Sequence, residues 1–341
     1  MAPLGVAIIG AGMVANTHVT ALQGLPEARI TGVYGRNPVS TAAFAAKYGL
    51  WAFGSYEEVL ANKDTDIVSI CLPPALHVDF GLQAAAAGKH LILEKPMDID
   101  VAKARWLIQE YRAKELTLAV IFQNRFTPAA QRVKAALDAG LLGKLILGDA
   151  YVKWYRSPEY YASNAWRGTW KVEGGGALIN QAIHTIDLLQ WFMGGVKSLS
   201  GMTRTSIHNI ETEDLGVAAV EFMSGALGVI EGTTAVTPGY KERIELHGTK
   251  GSLTLTGGLI TEWKVEGCKE EDYLDEQKVS YGETNSPAIS DVNHRAQLRN
   301  VITAINEGRD PLVTGEEGIK SLQIVLGIYE SSRKGQKITL A

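Results

Sequence analysis

Only two of the 341 residues are cysteines, Cys71 and Cys268, and they lie far apart. That scarcity excludes a disulfide framework and a cysteine-based zinc module, and it fits a reducing, cytoplasmic setting. Basic runs are lacking too: 33 Lys and Arg stand against 37 Asp and Glu, for a net charge of −4. Such a balance offers no electrostatic footprint for nucleic acid or an anionic membrane. No apolar run reaches the ~18 residues that a spanning helix needs. The opening MAPLGVAIIGAGMV has no basic leader and is broken by glycines. It reads as a strand and turn, not as a signal peptide. No repeat of solenoid period and no low-complexity segment occurs. No ligand spacing points to a metal, and none is expected.

What is present is ample core material. Hydrophobic residues make up 46% and charged residues 21% of a length that calls for two domains. Through the first ~120 residues, short apolar runs alternate with helical patterns, the signature of a parallel sheet covered on both faces. Strands are expected at Leu4–Ile9, Arg29–Tyr34, Ile67–Leu72, His90–Leu93 and Leu116–Phe122. Right-handed crossovers then give a doubly wound Rossmann domain over residues 1–123. From residue 124 to 341 the pattern predicts an α+β domain with an open, mostly antiparallel sheet. Two helices close the chain, the last able to pack back on the first domain.

Several stretches carry chemistry. VAIIGAGMVANTH follows a strand and opens a helix. Gly10 and Gly12 permit a tight turn and close backbone approach to a pyrophosphate, and Met13 and Val14 start the helix whose N–H groups face it. Ala15 holds the third position of the G-x-G-x-x-G pattern. After the second strand, where a carboxylate would hold the ribose hydroxyls of NAD, stand Gly35, Arg36 and Asn37. Nothing there repels a 2′-phosphate, and Arg36 suits one, so NADP is expected in preference to NAD. Leu72 ends the third strand, Pro73 and His77 follow it, and Glu94, Lys95 and Pro96 follow the fourth, at the edge where ligands bind in open α/β sheets. An ammonium at position 95 would stabilise charge on a reacting oxygen.

In the second domain, GGGALINQAIHTIDLLQW reads as an apolar helix entered through three glycines. Asn180, His184 and Asp187 fall at i, i+4 and i+7, on one face. The row faces either a reaction site or a satisfied polar stripe, and Asp187 either substrate or neighbouring backbone. Asn124 and Arg125, in IFQNRF, also emerge at the ligand edge. KWYRSPEYYASNAWRGTW concentrates three tryptophans and three tyrosines with Arg156 and Arg167. Trp166 and the two arginines suit a sugar ring and its anionic substituents; a packing loop is the competing reading.

The glycine turn, the Glu-Lys-Pro and the G-G-G-x-x-x-[ND]-x-x-x-H-x-x-D motif together resemble the Gfo/Idh/MocA family, the group of glucose–fructose oxidoreductase and the inositol dehydrogenases. The resemblance runs through the final TGEEGIKSLQIVLGIYESSRKGQKITL, which is similar to the family's closing helix and strand. It implies hydride transfer between a nicotinamide and a hydroxyl or keto carbon of a sugar, sugar derivative or cyclitol. It places Lys95 and His184 at the nicotinamide. Many members have an aspartate where this chain has Asn180, and an amide cannot take the proton. The resemblance also implies subunit contacts through the second sheet, hence a homodimer or homotetramer. The long aromatic loop is similar to that of members acting on nucleotide-linked amino sugars and uronic acids. The family includes a non-catalytic, regulatory class and NAD-dependent glycosidases, which stand as alternatives.

Overall fold

Alternating apolar runs in the first 120 residues become one parallel sheet. A computed structural model describes residues 2–275 and 291–340. The chain divides into two units, Met1–Gln123 with Ala288–Ile319, and Asn124–Pro287 with Lys320–Ala341.

The first unit runs β1 (Leu4–Ile9), α1 (Met13–Gln23), β2 (Ala28–Tyr34), α2 (Pro38–Tyr48), α3 (Tyr56–Ala61), β3 (Ile67–Ile70), α4 (His77–Ala86), β4 (His90–Leu93), α5 (Val101–Ala113) and β5 (Leu118–Val120). The strand order is β2-β1-β3-β4-β5, all parallel. The order reverses at β1, so the β1–α1 turn sits where such sheets bind ligands. Helix starts are marked by short polar side chains: Asn37 accepts from Val39 N and Ser40 N, and Asp100 from Ala102 N and Lys103 N.

The second unit opens with α6 (Pro128–Asp138), capped by Thr127. There follow β6 (Leu145–Lys153), α7 (Pro158–Ala162), a π-helical turn (Ala177–Ala182), α8 (Ile183–Met193), β7 (Val196–Arg204), β8 (Leu215–Phe222), β9 (Leu227–Thr233), β10 (Arg243–Gly248), β11 (Gly251–Thr256) and β12 (Leu259–Val265). Later in the chain come α9 (Asp291–Glu307), which belongs to the first unit, α10 (Gly315–Lys334) and β13 (Ile338–Thr339). The eight-stranded sheet has the order β12-β11-β10-β6-β9-β8-β7-β13. Its pairs are antiparallel except β6 with β9. β12 and β13 extend the edges beyond the strands expected from alternation.

Two features depart from the sequence reading. Residues 124–341 were expected in one domain, yet α9 packs on α1, and Leu298, Val301 and Ile302 belong to the first unit's core with Val6, Ile8, Val19 and Leu22. The helix of the Gly-Gly-Gly motif does not begin as an α-helix. Residues 177–182 form a π turn, and the α-helix starts at Ile183. Such turns are rare and concentrate at functional sites. Leu178 lies over Gly216 and Gly232, where a Cβ would come within 2.5 and 2.7 Å of it, so glycines let the turn settle on β8 and β9.

Candidate active site

In the first unit, the β1–α1 turn has the properties a pyrophosphate requires. Gly10 has φ +113°, and a Cβ there would lie 2.5 Å from the Cys71 carbonyl oxygen, so only glycine serves. A Cβ on Gly12 would meet nothing within 4 Å, which leaves its backbone open to approach. The first turn of α1 has no side-chain cap and no acidic residue, so its N–H groups and positive dipole end remain available to an anion. Met13 is exposed and Val14 half-buried beside it. These residues fit a dinucleotide.

At the end of β2, Arg36 is exposed. Gly35 packs tightly, and a Cβ there would come 2.5 Å from Thr41 Oγ1. Asn37 spends its side-chain carbonyl oxygen on capping α2, at 3.0 and 3.1 Å, which limits that side chain as a ribose contact.

Leu72 and Pro73 are half-exposed at the end of β3, but His77 is a correction. It is buried, with Nδ1 2.7 Å from the Pro96 carbonyl and Nε2 2.7 Å from the Leu72 carbonyl. Instead of facing a cofactor, it ties the β3 turn to the β4 turn. Burial holds its pKa below the usual imidazole value despite the two carbonyls.

Lys95 is half-buried on a turn with a structured underside. Glu94 Oε2 accepts from Lys95 N at 3.1 Å, and Oε1 accepts from His18 Nε2 at 2.9 Å. His294 Nε2 is 3.9 Å from the same Oε1. His18 and His294 were not anticipated, because neither stands in a ligand-type spacing.

In the second unit, Arg125 and Asp187 are also corrections. Arg125 Nε and Nη2 donate to Asp187 Oδ2 and Oδ1 at 2.7 and 2.8 Å, and the side chains are 0% and 1% exposed. The fork sets the two side chains against each other away from solvent. Asn124 lines a cavity of about 30 Å³ with Thr127, Thr185 and Glu242.

Gly175 and Gly176 answer to the protein's own interior. A Cβ on Gly175 would strike Tyr329 Oη at 2.2 Å, and one on Gly176 the Glu213 carbonyl oxygen at 2.0 Å. Glu213 was not anticipated. Its carboxylate accepts from Gly176 N (2.9 Å), Leu178 N (2.8 Å) and Tyr329 Oη (2.8 Å), holding the N-terminus of the π turn. Burial outweighs those three donors and pushes its pKa up to about 7.

Asn180 and His184, both half-buried, leave this turn and the first turn of α8. The wider π turn alters the α-helical spacing on which the expected row rested. Asn180 Nδ2 donates to Glu173 Oε1, and Glu173 Oε2 accepts from Gly168 N. That links Asn180 to the aromatic segment. There Tyr160 is the hub: Gln181 Nε2 donates to its hydroxyl at 2.6 Å, Arg167 donates to the same oxygen, and the guanidinium lies 4.2 Å from the ring centre. The Trp166 ring also packs on the Arg167 guanidinium, at 5.0 Å. Arg167 and Trp166 are half-buried. Arg156 is buried, donates to Gln181 Oε1 at 2.9 Å, and packs on Trp154. It braces the segment and is corrected from a substrate contact.

The model of an NAD-binding Rossmann oxidoreductase family matches residues 4–122, and the GFO/IDH/MocA C-terminal domain matches residues 130–254. The chain belongs to the Gfo/Idh/MocA family. It is an NAD(P)-dependent oxidoreductase of CH–OH groups, in agreement with the names its relatives carry. An uncharacterized oxidoreductase of Synechocystis sp. is 32% identical over 268 residues, 74% of this chain and 71% of that protein. The inositol 2-dehydrogenase of Rhizobium meliloti is 24% identical over 98% of both chains. Among solved structures, the WlbA dehydrogenase of Bordetella pertussis, in complex with NADH and UDP-GlcNAcA, is 30% identical with a TM-score of 0.89, covering 99% of each chain. Among the described residues no helix is long and apolar enough to cross a membrane.

Proposed function

We propose that this enzyme oxidises, or in reverse forms, a secondary hydroxyl of a sugar that carries an anionic substituent, the nucleotide-linked sugar acids being the first class to test. One observation carries the substrate class. Arg167, packed against both Tyr160 and Trp166, presents a guanidinium and two aromatic faces on one half-buried segment. That combination suits a sugar ring bearing a carboxylate or phosphate better than a neutral cyclitol. The full-length likeness to a dehydrogenase bound to UDP-GlcNAcA supports the same class.

The nicotinamide supplies the hydride acceptor or donor. Lys95 stabilises negative charge on the reacting oxygen with its ammonium. His184 takes the hydroxyl proton in oxidation and returns it in reduction, imidazole being the side chain that titrates near neutrality. Asn180, fixed by Glu173, aligns a substrate hydroxyl and moves no proton. Gly10, Gly12, Met13 and Val14 hold the pyrophosphate, Leu72, Pro73 and Glu94–Pro96 flank the nicotinamide side, and Arg36 takes a 2′-phosphate, which favours NADP over NAD.

The outer face of the eight-stranded sheet serves to pair copies into a homodimer or homotetramer. Leu147 pairs with Leu227, Ala219 with Val229, and Met202 with Val217, so these side chains share one face. Leu227 is 58% and Met202 69% exposed. Such a contiguous apolar patch marks an interaction surface.

The test is nicotinamide reduction by the purified protein with UDP-GlcNAcA, a neutral UDP-hexose and myo-inositol in parallel. Turnover highest on the acidic sugar supports the reading; turnover confined to myo-inositol, or absent throughout, overturns it.

A further inference from the structure

We propose that His18 and His294 are positioning residues for Lys95, acting on it through the buried carboxylate of Glu94. The inference rests on the reading of Lys95 as the group that stabilises charge on the reacting oxygen.

Four elements bring this cluster together in the first unit. His18 comes from α1, Ser69 from β3, Glu94 from the end of β4, and His294 from α9. His18 Nδ1 is 2.8 Å from Ser69 Oγ and its Nε2 is 2.9 Å from Glu94 Oε1. His18, Glu94 and His294 are buried, and the two imidazoles meet edge to face at 5.8 Å. The other carboxylate oxygen holds Lys95 N, so both oxygens of Glu94 are committed. One residue further on, His77 holds the Pro96 carbonyl. The backbone that carries Lys95 is thus fastened from beneath on both sides.

A buried ion pair is a poor way to gain stability, since desolvation consumes most of the Coulombic return. A pair placed directly under a functional lysine has another use: it sets the local field. Burial disfavours the charged form of His18, yet the Cys71 sulfur and the Glu94 carboxylate together raise its pKa to about 10. Burial disfavours the Glu94 anion too, but His18, then His294 and Lys95, draw its pKa down to about 2. The charges facing Glu94 are therefore His18, His294, Lys95 and, when protonated, His77. At neutral pH the Glu94 charge favours the Lys95 ammonium and the His18 charge opposes it. Removing either charge moves the lysine in a predictable direction, and the two directions are opposite.

The experiment measures the rate of Lys95 acetylation against pH by mass spectrometry on the full-length protein. This reads the lysine's own titration without substrate. Glu94→Gln is expected to move the midpoint down by about 0.5 pH unit or more, and His18→Gln to move it up by less, because His18 sheds its own proton near pH 10, in the range where a lysine titrates. His18→Asn carries the test if His18→Gln does not fold, as judged by circular dichroism. Midpoints unmoved in the folded variants, or moved the same way by Glu94→Gln and His18→Gln, overturn the proposal. Turnover of Lys95→Ala with UDP-GlcNAcA tests the underlying reading separately. Full activity there removes the catalytic role of Lys95, whereas opposite midpoint shifts establish the electrostatic coupling.

Discussion

Arg125 grips Asp187 through two hydrogen bonds of 2.7 and 2.8 Å with both side chains out of contact with solvent. The pair joins the segment before α6 to α8, so it sets where the His184 helix lies within the second unit. Breaking one side of such a pair leaves an uncompensated buried charge, at a cost of about 3–5 kcal/mol. Asp187→Ala is therefore expected to lower unfolding stability by that amount in urea titrations. Replacing both members with leucine and methionine should recover much of it. A stable Asp187→Ala that has lost only turnover would instead give the aspartate a place in the chemistry.

Cofactor choice is the second prediction. A carboxylate at position 35 would test it most directly, but Thr41 Oγ1 occupies the space of a Cβ at 2.5 Å. That hydroxyl donates to the Asn37 backbone carbonyl at the start of α2. Position 36 is exposed and escapes that conflict. Arg36→Ala is expected to weaken NADPH binding by about tenfold, the scale of one charge-assisted contact, and to leave NADH within about twofold. Calorimetry on both coenzymes decides it. Equal losses would mean that Arg36 does not read the 2′-phosphate.

Glu213 gives a stability prediction with a definite sign. Its folded-state pKa of about 7 lies above its unfolded value, so the folded state binds the proton more tightly. Its contribution is complete below about pH 4.5 and declines as pH rises through 7. Glu213→Gln keeps one acceptor oxygen, for either Gly176 N or Leu178 N, and has no proton to lose. The variant's stability is expected to be flatter than wild type between about pH 4.5 and 7. Thermal unfolding at half-unit pH steps checks this, and parallel curves would show that burial does not hold the proton on Glu213.

These residues also mark where sequence stops being legible. The β1–α1 turn, the parallel strands themselves and α6 could be read because period, glycines and caps are local signals. The π turn could not. Ala-Leu-Ile-Asn-Gln-Ala suits either helix, and its extra residue is fixed by Glu213, which reaches Gly176 and Leu178 from 37 and 35 residues away. β12 escaped because it carries two adjacent polar residues, and β13, only two residues long, was legible only through the family's closing helix and strand. His18 and Glu94 meet across 76 positions. Arg125 looked like a ligand-edge arginine until its partner, 62 residues on, proved to be Asp187. Lys95 and His184 stood out through family motifs, while the groups that hold them did not.

The final prediction concerns the helix that follows the three glycines. If His184 moves the proton, His184→Ala is expected to lose ~10²–10⁴ in turnover with coenzyme affinity retained. Asn180→Asp is the sharper variant. By shape alone it is tolerated, and its carboxylate would raise the pKa of a histidine one turn away. The structure adds a competing partner, because Asn180 Nδ2 donates to the buried Glu173. An aspartate there sets two carboxylates in contact, and such a pair shares one proton. The shared proton raises a folded-state pKa, so the variant should lose stability as pH rises through neutrality and regain it in acid. While the pair holds its proton, little new negative charge reaches His184. The acidic limb of the oxidation profile should then stay within about 0.3 pH unit of wild type, and the melting deficit should shrink on acidification. A large upward shift of that limb with no pH-dependent melting deficit would show that the introduced carboxylate ionises freely and acts on His184 directly, separating position 180 from Glu173.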